Sequence, residues 1–111
     1  MDQLDRYRDI VGRLIEAYAR YKPAYGDIRT EAVVDRERDH YEVLQVGWNA
    51  GRRVHGSIIH IDIRDGKVWI EYNGTDARIG EELVAAGIPK HDIVLGFQPV
   101  EVRPHTGYAV G

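Results

Sequence analysis

Apolar residues follow two different periods along the chain, and the change of period marks its elements. Between residues 3 and 20, Leu4, Tyr7, Val11, Leu14 and Tyr18 recur at alternating spacings of three and four, with Ile10 and Ile15 widening the stripe. That spacing predicts a helix with one face on a core. Asp2 is its expected N-cap, because a carboxylate there accepts orphan amide protons and suits the positive end of the helix dipole. Pro23 and Gly26 end the helix.

From His40 to Tyr72 the period drops to two. HYEVLQVGW, RRVHGSIIHIDI and KVWIEY read as three antiparallel strands, with Asn49-Ala50-Gly51 and Asp65-Gly66 between them. Asp-Gly is a strong hairpin signal, since both central residues of a type I′ turn need positive φ. Pairing Arg64 with Lys67 sets Ile63 opposite Val68, Ile61 opposite Ile70, Ile59 opposite Tyr72 and His60 opposite Glu71. If the loop Asn49 to Arg53 closes the first hairpin, Trp48 faces Val54, Leu44 meets Ile58, Val43 meets Ile59 and Tyr41 meets Ile61. One face is then continuously apolar (Tyr41, Val43, Ile59, Ile61, Ile63, Val68, Ile70, Tyr72) and is the natural seat for helices. A slip of one residue would exchange the two faces, so the pattern supports the register. Gly56, inside the strand, is where a bulge would shift the pairing.

Asp27 to Val34 alternates loosely and carries charges, which predicts an edge strand; the run Asp35 to Asp39 predicts an exposed turn after it. Thr75 or Asp76 is the expected cap of a second helix reaching about Ala86 and stopped by Gly87. Ile93-Val94-Leu95 with Phe97 reads as a buried short strand or turn of helix. The tail Gln98 to Gly111 has no clear period, and its tyrosine and valines suggest packing on the body or on a partner. The expected fold is α+β, in one domain over residues 1–111. It has an N-terminal helix, an antiparallel meander of three to four or more strands, and a second short helix, with the helices mainly on one sheet face.

A chain of 111 residues suffices for a core of its own, and the absence of cysteine excludes disulfides, thiolate metal sites and a cysteine nucleophile. The polar N-terminus has no signal-peptide core, and no apolar run approaches the ~20 residues of a membrane span. A soluble, cytoplasmic protein with no membrane contact is expected. The net charge of −3 with interspersed signs argues against autonomous DNA binding, which rests on phosphate neutralisation.

Three constellations stand out. Glu42, His60, Asp62 and Glu71 share the polar sheet face in the expected register. A metal site or a general base is one use of such a group. A solvated face with cross-strand ion pairing is favoured, because no second histidine is in reach. Leu44, Val46, Trp48, Val54, Ile58 and Trp69 form an apolar surplus on the reverse face, either an association surface or a surface covered by the C-terminal segment. Arg52, Arg53 and His55 make a basic hairpin loop, suited to phosphate or an acidic partner but equally to a solvated turn. The five histidines show no HxxxH, HxH or HExxH spacing, and GxSxG, Walker and GxGxxG motifs are absent. No enzyme activity, cofactor or metal is expected.

Three stretches carry a resemblance: DQLDRYRDIVGRLIEAYA, ERDHYEVLQVGWNAGRRVHGSIIHIDIRDGKVWIEYNGT and IGEELVAAGIPKHDIVLGF. With them the chain closely resembles the XisI family, the fdxN-element excision controlling factor proteins of cyanobacteria, from Met1 to Phe97. The resemblance implies an accessory factor for developmentally controlled, site-specific excision of a DNA element, the recombination chemistry belonging to a separate recombinase. It also implies a nuclease-like companion, XisH, as partner, and it supplies no catalytic residues. The leading expectation is a controlling factor working through protein contacts with such a companion or the recombination complex, with DNA contact indirect or weak. The alternatives are an antitoxin-like binder of the companion and a direct DNA-binding factor. A homodimer or higher oligomer is a further expectation from the two tryptophans.

Overall fold

The computed structural model describes residues 2–111; Met1, where the expected domain and the resemblance begin, lies outside the described residues. Helix α1 runs Gln3–Ala19, and the Asp2 side chain accepts from the Asp5 amide as its N-cap. Strands β1 (Asp27–Asp35), β2 (His40–Asn49), β3 (Arg52–Arg64) and β4 (Lys67–Asn73) form the expected antiparallel meander. Helix α2 (Ile79–Ala86) then leads to β5 (Ile93–Leu95), which pairs with β4 in parallel. A parallel neighbour needs a crossover, and α2 is that crossover. The sheet is therefore mixed, ordered β1-β2-β3-β4-β5, with β1 at an edge.

The apolar faces meet as the pattern requires. Tyr7, Ile10, Val11 and Ile15 of α1 and Ile79 and Leu83 of α2 close over Tyr41, Val43, Ile59, Ile61, Ile63, Val68 and Ile70. Each such side chain contributes roughly 1.5–3 kcal/mol on burial. Polar ties fix the helices on this layer. Arg8 of α1 pairs with Asp39, which also accepts from the Tyr41 hydroxyl at 3.0 Å, so the turn after β1 is clamped at its far end. The buried Tyr7 hydroxyl donates to Asp92.

Two bulges correct the expected register. In the β2–β3 hairpin the pairing Tyr41↔Ile61 and Val43↔Ile59 holds, but it shifts between Val43 and Leu44. Beyond it Leu44 pairs with Ser57, Gly47 with Val54 and Trp48 with Arg53. The physical cause is the hairpin tip: Ala50 (φ 50°) and Gly51 (φ 79°) make a two-residue turn, where a longer loop was expected. Ile58 is the extra residue. In the β3–β4 hairpin, Asp65 and Gly66 both have positive φ as predicted, and pairing holds from Arg64↔Lys67 to Ile61↔Ile70. It then shifts, so His60 faces Tyr72 and Glu71 is left out of the ladder. Tyr72, expected in the core, is 51% exposed for that reason.

Three smaller expectations also change. Neither Thr75 nor Asp76 caps α2. Its N-cap position is Arg78, without a side-chain hydrogen bond, because Asn73 and Thr75 spend their side chains on the turn before it. Gly87 does end α2, in the left-handed conformation. Phe97 lies outside β5 and is exposed. Among the described residues, no helix is long and apolar enough to cross a membrane.

The two helices are joined where the Tyr18 hydroxyl donates to Glu82 Oε2 at 2.6 Å. Burial first, then this acceptor and its charge, push the Tyr18 phenol up to about 12. In the unfolded chain it titrates near 10. A raised folded pKa means the stabilisation is complete below pH ~10 and is lost as pH climbs through ~12. Urea unfolding at stepped alkaline pH should show stability falling in that window, and Tyr18→Phe should flatten part of the fall. An unchanged profile in the variant would deny Tyr18 this role.

Candidate functional site

The sheet face turned away from the helices carries the chemistry, and strand alternation decides what it holds. Along β2 the residues on this face are His40, Glu42, Leu44, Val46 and Trp48, and on β3 they include His60 and Asp62. Eight residues of strand separate His40 from Trp48, which is about 25 Å. The face therefore has two separate ends.

At the first end, His40 pairs across the ladder with Asp62, and Glu42 with His60. Asp62 is the one charged residue buried among the described residues, at 9% exposure. A buried carboxylate is costly unless it is hydrogen-bonded. Here two imidazoles meet that need on one oxygen: His40 Nδ1 lies 2.7 Å and His60 Nε2 2.9 Å from Asp62 Oδ1. An ionised carboxylate only accepts, so each ring nitrogen donates. The Asp62 hydrogen bond and charge hold the His40 pKa above its ordinary value, partly opposed by burial and reinforced by Asp35 and Glu42.

Of the expected cluster, then, His60 and Asp62 are brought together and Glu42 is beside them, while Glu71 is displaced by the β4 bulge toward Gly96. His40 was missed. The pairing Tyr41↔Ile61 already implied His40↔Asp62, so the signal was present one step further along the ladder.

The expected apolar patch is dispersed. Val54, opposite Gly47, lies on the other face from Trp48, and Ile58 packs against the main core. Trp69 sits at 9% exposure, its ring covered by Arg64 at 3.8 Å and by Arg103 of the C-terminal tail at 5.4 Å. The tail is anchored by Ala109, whose amide donates to the Ile93 carbonyl. Leu44, Val46 and Trp48 remain at the second end. Trp48 is 53% exposed, and the Arg53 guanidinium stands 5.2 Å from its ring centroid. Arg52 and His55 beside it are exposed.

A cleft of about 670 Å³ lies elsewhere, between α2, the ends of β4 and β5 and the tail, lined by Ile79, Gly80, Val84, Leu95, Phe97 and Tyr108. It is mainly apolar, and among the described residues no cluster of metal-ligating groups lines it. A side chain at Gly80 would meet Tyr108 Oη at 2.8 Å, so glycine there keeps the cleft wall in place.

Among curated proteins no relative matches this chain. A family model described as XisI protein matches residues 1–110. The crystal structure of a XisI-like protein from Anabaena variabilis ATCC 29413 is similar at 39% identity and TM-score 0.92, covering 98% of this chain and 100% of that one. That of the fdxN element excision controlling factor XisI from the same strain is similar at 33% identity and TM-score 0.85, covering 99% and 100%. A match along almost the whole length, with both relatives superposing over their entire chains, makes this chain a member of the XisI family.

Proposed function

We propose that this protein is a non-enzymatic controlling factor for the site-specific excision of a DNA element. In this reading residues 1–111 act as one XisI-like domain in the cytoplasm, through contacts with a XisH-like companion or the recombination complex. The relative named an excision controlling factor supports the process, and the second end of the sheet face supports protein contact as the means. The observation that carries it is Trp48. A half-exposed indole on a rigid hairpin, with Arg53 stacked on it, offers the residue types most enriched at binding hot spots. Arg53 is already engaged by the indole and the net charge is −3, so a phosphate-reading role for Arg52, Arg53 and His55 has less support.

The test is co-purification of the full chain with its XisH-like companion, followed by titration of wild type and Trp48→Ala. Truncating a hot-spot tryptophan costs ~2 kcal/mol or more, so affinity should fall roughly 30-fold. Stability should stay within ~0.5 kcal/mol, as for other surface substitutions. Equal affinity for both proteins would remove Trp48 from the interface. Salt-dependent retention on DNA that disappears in Arg52→Ala/Arg53→Ala would favour direct DNA binding instead.

A further inference from the structure

A solvated face was the favoured reading of the polar cluster because only one histidine was in reach, and the folded chain supplies the second. We infer that His40, His60 and Asp62 form a binding site for a divalent transition metal ion of borderline softness, of which Zn²⁺ is the type. One ligand atom from each of the three lies within 4.8 Å of the others. The donors come from two adjacent strands, within the unbroken stretch of ladder that pairs His40–Val43 with Ile59–Asp62, and none sits on a loop, so the site is held before any ion arrives.

The geometry is close to what such an ion needs. Metal–nitrogen and metal–oxygen bonds of about 2.0–2.2 Å place tetrahedral ligands about 3.4 Å apart. The two nitrogens stand 2.7 and 2.9 Å from Asp62 Oδ1, so an opening of about half an ångström admits the ion. Binding needs a bare lone pair at each of those two nitrogens: a protonated ring releases that proton to solvent, and a neutral ring carries its one proton on the other nitrogen instead, so that both imidazoles are neutral ligands. On Asp62 Oδ1 one coordinate bond to a dication then takes the place of the two hydrogen bonds. Two imidazoles and one carboxylate suit zinc, cobalt or nickel, whereas calcium and magnesium prefer oxygen-only shells. Glu42, across the ladder from His60, adds negative charge beside the site. Three protein ligands leave a coordination position open, and the His40 side chain, 54% exposed, leaves a path to it from solvent. The site lies about 25 Å along β2 from Trp48, so loss of metal and loss of a protein partner are separable events.

The test uses the tag-free full chain, chelator-treated, titrated with Zn²⁺ by calorimetry and with Co²⁺ by visible absorption. Saturable one-to-one binding at micromolar or tighter affinity is expected, with a low-symmetry cobalt spectrum. His40→Gln, His60→Gln and Asp62→Asn should each weaken binding on the order of 100-fold, at least the loss seen when only an outer-shell partner of a metal site is removed. His55→Gln, on exposed strand at the other end, should leave binding unchanged. His40 is largely exposed, so its variant is expected to fold as the wild type does, and circular dichroism checks this. Saturation absent below ~1 mM, or binding that survives in both His40→Gln and His60→Gln, would overturn the site. So would binding that maps to His91 or His105.

Discussion

Replacing Gly47 by alanine should detach β1 from the sheet and lower stability by about 3 kcal/mol or more. Gly47 pairs with Ile28 across the β1–β2 ladder, and a Cβ there would overlap the Asp27 carbonyl oxygen and come within 2.7 Å of Ile28 Cα. Both obstacles are backbone, so no side chain can rotate out of the way. Relief requires β1 to move, and Ile28, buried at 2% exposure, moves with it. For a chain of this size the thermal midpoint should fall by more than roughly 10 °C. Amide exchange should show β1 opening ahead of β2 and β3. Gly56→Ala is the matched control, since a Cβ at Gly56 meets nothing within 4 Å. Equal midpoints for the two variants would show that β1 is not pinned at Gly47.

The consequence reaches the proposed interface. Asp27 is the ladder partner of Trp48, so a loosened β1 removes one wall of the hairpin that presents the indole. Gly47→Ala should therefore weaken companion binding as Trp48→Ala does, but with a loss of stability that Trp48→Ala lacks.

What could be read from residues alone depended on how local the determining physics was. Asp65-Gly66 carries its turn type in its two residues, an aspartate that tolerates positive φ and a glycine with no Cβ to oppose it, and the register beside it followed. Ala50-Gly51 does not: alanine in the left-handed region is tolerated only because the ladders on either side hold it there, so the turn had no local signature. The bulges at Ile58 and Glu71 are the non-local counterpart. Each accommodates one extra residue between two fixed hairpin ends, and neither end alone reveals it. From those two slips came the misplaced Val54, Ile58, Tyr72 and Glu71. The parallel pairing of β5 was also hidden, since three apolar residues suit either direction. All three candidate metal ligands lie where the β2–β3 register held, and His40 was recoverable from that register; only the pairing of His60 with β4 was displaced.

The other large effect belongs to the second indole. Trp69→Ala should cost ~3–5 kcal/mol, the range for emptying a large buried aromatic site. Unlike Trp48, this ring is closed over: Arg64 covers it on one approach and Arg103 on another, and the glycine at the chain's end lies against it. Arg103 is also what gathers the tail, donating to the carbonyls of Gln98 and Gly96 at 3.1 and 3.3 Å. The ring is thus the floor on which the tail is folded, and removing it should free the segment after β5. Limited proteolysis should cut the Trp69→Ala tail early while the sheet resists, and the thermal midpoint should fall by more than roughly 12 °C. Arg103→Ala tests the coupling separately. It removes the stacked cation and its hydrogen bonds but leaves the ring, so the loss should be nearer 1–2 kcal/mol with the same early tail cleavage. Tail cleavage unchanged in both variants would mean that Ala109 and Tyr108 hold the segment without help from the indole. An exposed tryptophan whose removal spares stability and a covered one whose removal costs several kcal/mol separate the contact surface from the tail anchor on one face of one sheet.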